Sequence, residues 1–162
     1  MRSFVLKQEK EMIRKALVSD SEAILEIIKP YVESEIILPK TLEEISGRIR
    51  DYFVFEEEGT VQGCAALYPG WDSLGEIRTT AVREENKGKG IGRQLVEACI
   101  EDARELGLPK IFVLTYEVDF FEKMGFSVVE KETLPHKIFK DCIKCRHFFN
   151  CDETAMIKAL QE

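Results

Sequence analysis

The chain is 162 residues long, with 30 acidic and 23 basic residues and a formal charge of −7. That length fits one domain over residues 1–162, and 44% hydrophobic with 33% charged residues describes a globular rather than a disordered protein. The acidic balance excludes broad nucleic-acid binding, which needs a basic stripe, and no run approaches the roughly 18 apolar residues of a membrane span. The expectation is a cytoplasmic protein with neither a nucleic-acid nor a membrane partner.

In chain order, Met12–Leu17 reads as a short strand. Asp20 and Ser21 can cap a helix whose apolar positions Ile24, Ile27, Ile28 and Tyr31 fall at helical spacing; Pro30 ends or bends it. Thr41-Leu42-Glu43-Glu44 has the form of a capping box and predicts a second helix. Tyr52–Glu57 and Val61–Tyr68, around Glu58-Gly59-Thr60, predict a hairpin. Glu76–Val82 continues that series as a third strand. A clean amphipathic helix follows, with Ile91, Leu95, Val96, Cys99, Ile100, Ala103 and Leu106 on one face and Gly107 at its end. Lys110–Tyr116 is a strand, Asp119–Met124 a short helix closed by Gly125, and Phe126–Val129 a strand. The stretch from Glu130 to Glu153 has no clear period, and Thr154–Leu160 is a last strand. Early helices, a meander and then strand–helix–strand predict a mixed α/β sheet.

Between the third strand and the long helix lies Arg83-Glu84-Glu85-Asn86-Lys87-Gly88-Lys89-Gly90-Ile91-Gly92-Arg93. Unpaired N–H groups at a helix start, together with the helix dipole, attract anions. Glycines admit a ligand close to the backbone. Lys87, Lys89, Arg93 and Arg83 concentrate positive charge inside an acidic chain, so a pyrophosphate is the natural guest. A P-loop would need Ser or Thr after Gly-Lys, and a dinucleotide fingerprint would need Gly-x-Gly-x-x-Gly near a first strand; neither spacing is present. The alternative is a flexible connection with solvated lysines.

Val82 through Leu95, with Lys87-Gly88-Lys89-Gly90-Ile91-Gly92, resembles the acetyl-CoA-binding motif of the GNAT N-acetyltransferase superfamily. Lys87 stands where that motif has Arg or Gln. Phe120-Phe121-Glu122-Lys123-Met124-Gly125-Phe126 resembles the superfamily's Phe-Tyr-Glu-x-x-Gly-Phe segment. Gly63-Cys64-Ala65-Ala66-Leu67, Gly75-Glu76-Ile77 and Ala81-Val82 are more closely similar to the acetyltransferase domain of bacterial N-acetylglutamate synthases, in a stand-alone form. Ile37-Leu38-Pro39-Lys40-Thr41 and Leu134-Pro135 have counterparts there. The resemblance implies a mixed, mostly antiparallel sheet of about 6–7 strands with splayed central strands and flanking helices. It implies acetyl-CoA as cofactor, and a coenzyme site made of Ala81, Val82, Lys87, Gly88, Lys89, Gly90, Ile91, Gly92, Arg93 and Phe121.

The same resemblance makes Glu76 the general base, acting on the acceptor amine directly or through a water, and places a backbone N–H near Val82 at the thioester carbonyl. Phe121 stands where many members have a tyrosine that protonates the leaving thiolate. Tyr116 is the candidate substitute, or a packing residue, and water suffices for so acidic a thiol. Lys40 takes the position of an arginine that binds a substrate carboxylate. Thr79 and Thr115 fall where the acceptor contacts lie on neighbouring strands, and Lys137 is a candidate for a second carboxylate. The implied reaction is acetylation of the α-amine of L-glutamate, opening arginine biosynthesis. Other acceptors (glutamine, another amino acid, a polyamine or a protein amine) and a non-catalytic acetyl-CoA-binding module are the alternatives. A homodimer is compatible with all of them.

The chain has five cysteines. Cys64 and Cys99 sit in apolar patterns and read as small buried hydrophobes. Cys142, Cys145, His147 and Cys151 have ligand types suited to zinc but lack a second, well-separated pair. No metal is expected there, and reduced packing or redox-sensitive thiols are the preferred reading.

Overall fold

A computed structural model describes residues 11–70, 73–134 and 152–160. Lys137, Cys142, Cys145, His147 and Cys151 lie outside the described residues. Among the described residues seven strands form one mixed sheet in the order β1-β2-β3-β4-β5-β7-β6. They are β1 (Glu11–Lys15), β2 (Tyr52–Glu57), β3 (Thr60–Tyr68), β4 (Leu74–Val82), β5 (Lys110–Thr115), β6 (Ser127–Val129) and β7 (Thr154–Ala159). The helices are α1 (Ser21–Glu33), α2 (Leu42–Gly47), α3 (Ile91–Glu105) and α4 (Val118–Lys123). No helix of the described residues is long and apolar enough to cross a membrane.

The first four strands form an antiparallel meander, and β4 meets β5 in parallel through the crossover of α3. One face of the sheet carries Leu67, Ile77, Ile111 and Val113 against Leu95, Val96, Cys99 and Ala103 of α3. The other carries Tyr52, Val54, Cys64, Ala66 and Ala81 against Ile24, Ile27 and Ile28 of α1 and Ile45 of α2. Fully burying one such aliphatic side chain contributes roughly 1.5–3 kcal/mol, which is why the 3.6-residue stripe of α3 dictates its docking.

Several local expectations change. Leu17 is exposed, outside β1, because the chain turns there into a short 3-10 segment. Asp20 does not cap α1 with its side chain. Its carboxylate accepts the Leu17 N–H (2.7 Å) and both terminal nitrogens of Arg14 (2.7 and 3.0 Å). Pro30 does not end α1, which runs on to Glu33. The helix then closes in a Schellman motif: Ile36 N–H donates to Tyr31 C=O and Glu35 N–H to Val32 C=O, with Glu35 at φ 62°. Leu106 is exposed at the end of α3, and Leu108 fills the core instead. The capping box at Thr41 forms as expected, with Glu44 N–H donating to Thr41 Oγ1 and Thr41 N–H to Glu44 Oε1.

Candidate active site

β4 and β5 pair at Leu74–Lys110, Gly75–Ile111 and Glu76–Phe112, and the register ends there. β4 continues to Val82 and β5 to Thr115, so the strands part beyond Glu76. The wedge between them is the splay that the sequence led us to expect. Among the described residues it leaves one edge of β4 without a strand partner, a ready acceptor for an extended, amide-bearing ligand.

A bulge sits on the same stretch of β4. Cys64 pairs with Ala81, yet Ala66 pairs with Arg78, so Thr79 and Thr80 share one place in the ladder. Its effect on the pleat is visible in the packing: Ile77 faces the α3 core, whereas Ala81, also odd-numbered, faces the α1–α2 core. Thr79 is buried and has φ 56°, a strained value for a β-branched residue. Its carbonyl accepts a hydrogen bond from the Cys64 thiol at 3.4 Å. Burial pushes that thiol up to about 12, so Cys64 is a packing group and not a nucleophile.

The glycine loop closes the upper end of the wedge. Gly88 and Gly90 have φ 80° and 83°, and among the described residues no atom beyond the adjacent chain lies within 4 Å of where a side chain would begin at either. Both are therefore glycine for the backbone turn, and the space beside them is open. Gly90 is the N-cap of α3, whose first turn holds no acidic residue, an arrangement whose N–H groups suit an anion. Asn86, buried, donates to Gln62 Oε1 (2.6 Å) and accepts from Lys89 Nζ (2.9 Å), which fixes the loop from below. Lys87 pairs with Glu84 at 2.7 Å and lies 4.9 Å above the Tyr31 ring. Arg93 pairs with Glu97 on the exposed flank of α3.

Tyr31 was not singled out as a site residue in the sequence. Its hydroxyl donates to the Val82 carbonyl (2.9 Å) and accepts the Val82 N–H (3.2 Å), tying α1 to the β4 edge where the glycine loop begins. The resemblance places a backbone N–H near Val82 at the thioester carbonyl, and the Val82 N–H itself is held by a phenol. Phe121 is buried in the α3-side core, edge-on to Phe120 (4.9 Å) and Phe126 (5.2 Å). Phe120 is the ring that faces the loop: a Cβ at Gly92 would lie 3.9 Å from its Cζ.

At the fork itself, Glu76 Oε1 accepts from Arg78 Nε at 2.5 Å, and the two side chains are only 12% and 19% exposed. Arg78 lies 4.5 Å from the ring centre of Tyr68, and Arg48, at the end of α2, lies 4.0 Å from the same ring. Arg48 is in turn held by Asp51 through Nε (3.0 Å) and a terminal nitrogen (2.9 Å). Beside this layer Tyr52 Oη is fully buried without a well-formed hydrogen bond among the described residues. Burial raises the pKa of both Tyr52 and Tyr68, so both phenols stay neutral. Arg48, Arg78 and Tyr68 were also missed in the sequence, since isolated arginines carry no spacing signal.

The remaining predicted site residues lie on other segments of the chain. Lys40 immediately precedes the Thr41 cap, so α2 separates it from Arg48 by about 9 Å of helix. Thr115 is buried, and its hydroxyl accepts the Glu117 N–H at 2.8 Å in the turn leading to α4. Tyr116 is exposed and lines a shallow cleft with Ser34, Glu35, Ile36 and Asp152. Among the described residues no cluster of His, Cys, Asp or Glu could hold a metal ion.

Comparison with known proteins agrees with this architecture. Residues 20–126 match the model of the acetyltransferase (GNAT) family. An uncharacterized N-acetyltransferase of Chlorobaculum tepidum is 43% identical over 148 residues, covering 91% of this chain and 96% of the relative. The amino-acid acetyltransferase of Mycobacterium tuberculosis is 36% identical over 140 residues, 85% and 79% of the two chains. Among solved structures, the N-acetylglutamate synthase of Neisseria gonorrhoeae, complexed with coenzyme A and N-acetyl-glutamate, superposes with a TM-score of 0.85 at 27% identity. That match takes in 94% of this chain and 35% of the synthase, so the chain spans about a third of that enzyme. A Mycobacterium tuberculosis protein solved with CoA superposes at 0.80, with 32% identity over 93% and 99% of the two chains. The wedge, the glycine loop and these relatives lead to one conclusion: the chain belongs to the acetyltransferase (GNAT) family and is an N-acetyltransferase.

Proposed function

We propose that the protein transfers the acetyl group of acetyl-CoA to the α-amine of a free amino acid, L-glutamate in the first instance. The observation that carries this reading is the parting of β4 and β5 at Glu76, with an anion-binding helix start at one end of the wedge and a buried carboxylate at the other. Relatives named amino-acid acetyltransferases, and the synthase structure with N-acetyl-glutamate, support the acceptor class.

The residues present fit the coenzyme. The open backbone at Gly88 and Gly90, the N–H groups opening α3 and the ammonium groups of Lys87 and Lys89 suit a diphosphate. The β4 edge offers peptide groups to the amides of the pantetheine arm. When bound, acetyl-CoA supplies an activated acyl group. Glu76 accepts a proton from the acceptor ammonium. Tyr116, on the cleft that opens beside the end of β5, is the candidate to return a proton. Lys40, Thr79, Thr115 and Lys137 remain candidate acceptor contacts.

One observation favours a different acceptor: Glu35 and Asp152 line the cleft at Tyr116 and suit a cationic amine such as a polyamine. Thiol release from acetyl-CoA across free amino acids and polyamines, with the product identified by mass, separates the two. Acetylated glutamate is expected; turnover of polyamines alone would replace this reading with the second.

A further inference from the structure

Glu76 and Arg78 form an ion pair whose carboxylate oxygen and guanidinium nitrogen are 2.5 Å apart, at the point where the wedge opens. Both side chains are mostly but not wholly buried. A carboxylate and a cation side by side are the charge mirror of an α-amino-acid head group, in which ammonium and carboxylate are separated by two bonds. Resting on the amino-acid reading above, we infer that the Glu76–Arg78 pair is the recognition element for the zwitterionic head group of the acceptor. The α-carboxylate docks on Arg78 and the α-ammonium on Glu76.

The surroundings fit such an exchange. Arg78 lies over the ring of Tyr68, with Arg48 over that ring as well, so the guanidinium keeps its place as the carboxylate opposite it changes. The planar guanidinium offers the acceptor a two-pronged contact. Thr79 follows Arg78 at φ 56°, so the bulge fixes the strand direction at this residue.

The exchange also has a chemical consequence. As the incoming carboxylate takes up Arg78, the Glu76 carboxylate is released from its partner and faces the ammonium instead. One ammonium proton then passes to a Glu76 oxygen, leaving the nitrogen lone pair free, and Glu76 returns that proton to solvent. An amine without a neighbouring carboxylate leaves Glu76 engaged with Arg78. Selection for α-amino acids and activation of the base are then one event.

The test compares L-glutamate with isoglutamine, in which only the α-carboxylate has become an amide, using wild type, Arg78→Met and Arg78→Lys. Wild type should prefer glutamate by about 10- to 100-fold in kcat/KM, the value of one charged hydrogen-bonded contact. Arg78→Met should raise KM for glutamate by a similar factor and bring the two acceptors within about threefold. Its affinity for CoA should be unchanged. Arg78→Lys should recover part of the preference through its point charge, and it carries the test if the methionine variant does not fold. An undiminished glutamate preference in the variant that folds overturns the inference and leaves the proposed function standing. A wild type that binds CoA and acetylates neither acceptor overturns both.

Discussion

The two ends of the wedge are built by different means. At the proposed coenzyme end the donors belong to the backbone: two glycines with φ near 80°, a helix start without acidic side chains, and a strand edge. Lys87 and Arg93 there are exposed and paired with Glu84 and Glu97, and Lys89 is bonded to Asn86, so these cations add to a site whose donors are main-chain groups. At the proposed acceptor end the polar groups belong to side chains. Glu76 and Arg78 from β4, Tyr68 from β3 and Arg48 from the end of α2 come together only because the strands pair in one register. A backbone site is contiguous in sequence and tolerant of its side chains. A side-chain site is scattered and depends on each member.

Substitution should separate the two ends. The largest effect is expected at the acceptor end: Glu76→Gln keeps the shape and the contact with Arg78 but removes the base. Turnover should fall by about 10²–10⁴-fold, with CoA affinity unchanged by calorimetry. Wild-type turnover would remove Glu76 from the chemistry. At the coenzyme end, Gly90→Glu forces a side chain onto a left-handed backbone, at about 1–2 kcal/mol, and sets a negative charge at the anion site. CoA affinity should drop by at least about tenfold, while α3 remains helical by circular dichroism. Intact affinity would contradict the placement of the diphosphate.

Away from both ends, the Arg14–Asp20 pair tests the frame that carries α1. The Arg14 guanidinium holds the Asp20 carboxyl below its ordinary value, mainly through their hydrogen bonds. A carboxylate whose pKa is lowered on folding stabilises the fold above its unfolded pKa. That stabilisation is lost as pH falls through the folded value. Asp20→Asn should therefore cost about 2 kcal/mol at neutral pH, and the difference from wild type should shrink in denaturation curves as pH falls below the ordinary aspartate range and vanish below the lowered folded-state value. A pH-independent difference would mean that the pair is not ionic.

The smallest expected effect is the most specific. Tyr31→Phe removes the hydroxyl from both polar groups of Val82. Stability should fall by about 1 kcal/mol. Because the freed peptide becomes available to the pantetheine arm, CoA should bind about three- to tenfold more tightly, whereas adenosine 3′,5′-bisphosphate, which lacks the arm, should bind as before. Equal changes for both ligands would show that Tyr31 only supports the glycine loop.

This contrast also explains what the sequence made legible. The stripe of α3 up to Ala103, the capping box at Thr41, the meander and the glycine loop are local patterns, and each stands where the spacing put it. Glu76 is a candidate through a family pattern in Gly75-Glu76-Ile77, not through chemistry visible in one carboxylate. Arg78, two residues on, went unnoticed because its importance depends on Tyr68 and Arg48, brought close by register and by the end of α2. Tyr31 fitted the helical stripe and was read as core, although its hydroxyl reaches a strand 51 residues away. Asp20 looked like a cap, but a stronger partner six residues earlier claimed it. Phe121, matched to a site tyrosine, lies in the core, and its neighbour Phe120 faces the loop, since a six-residue helix turns successive residues to different sides.

The most direct test of the account is a crystal structure of the protein grown with CoA and N-acetyl-glutamate. The account predicts the diphosphate against the backbone of residues 88–92, the pantetheine arm along the β4 edge beyond Glu76, and the acetylated nitrogen within reach of Glu76. Coenzyme bound away from the glycine loop, or product lying outside the wedge between β4 and β5, would contradict it.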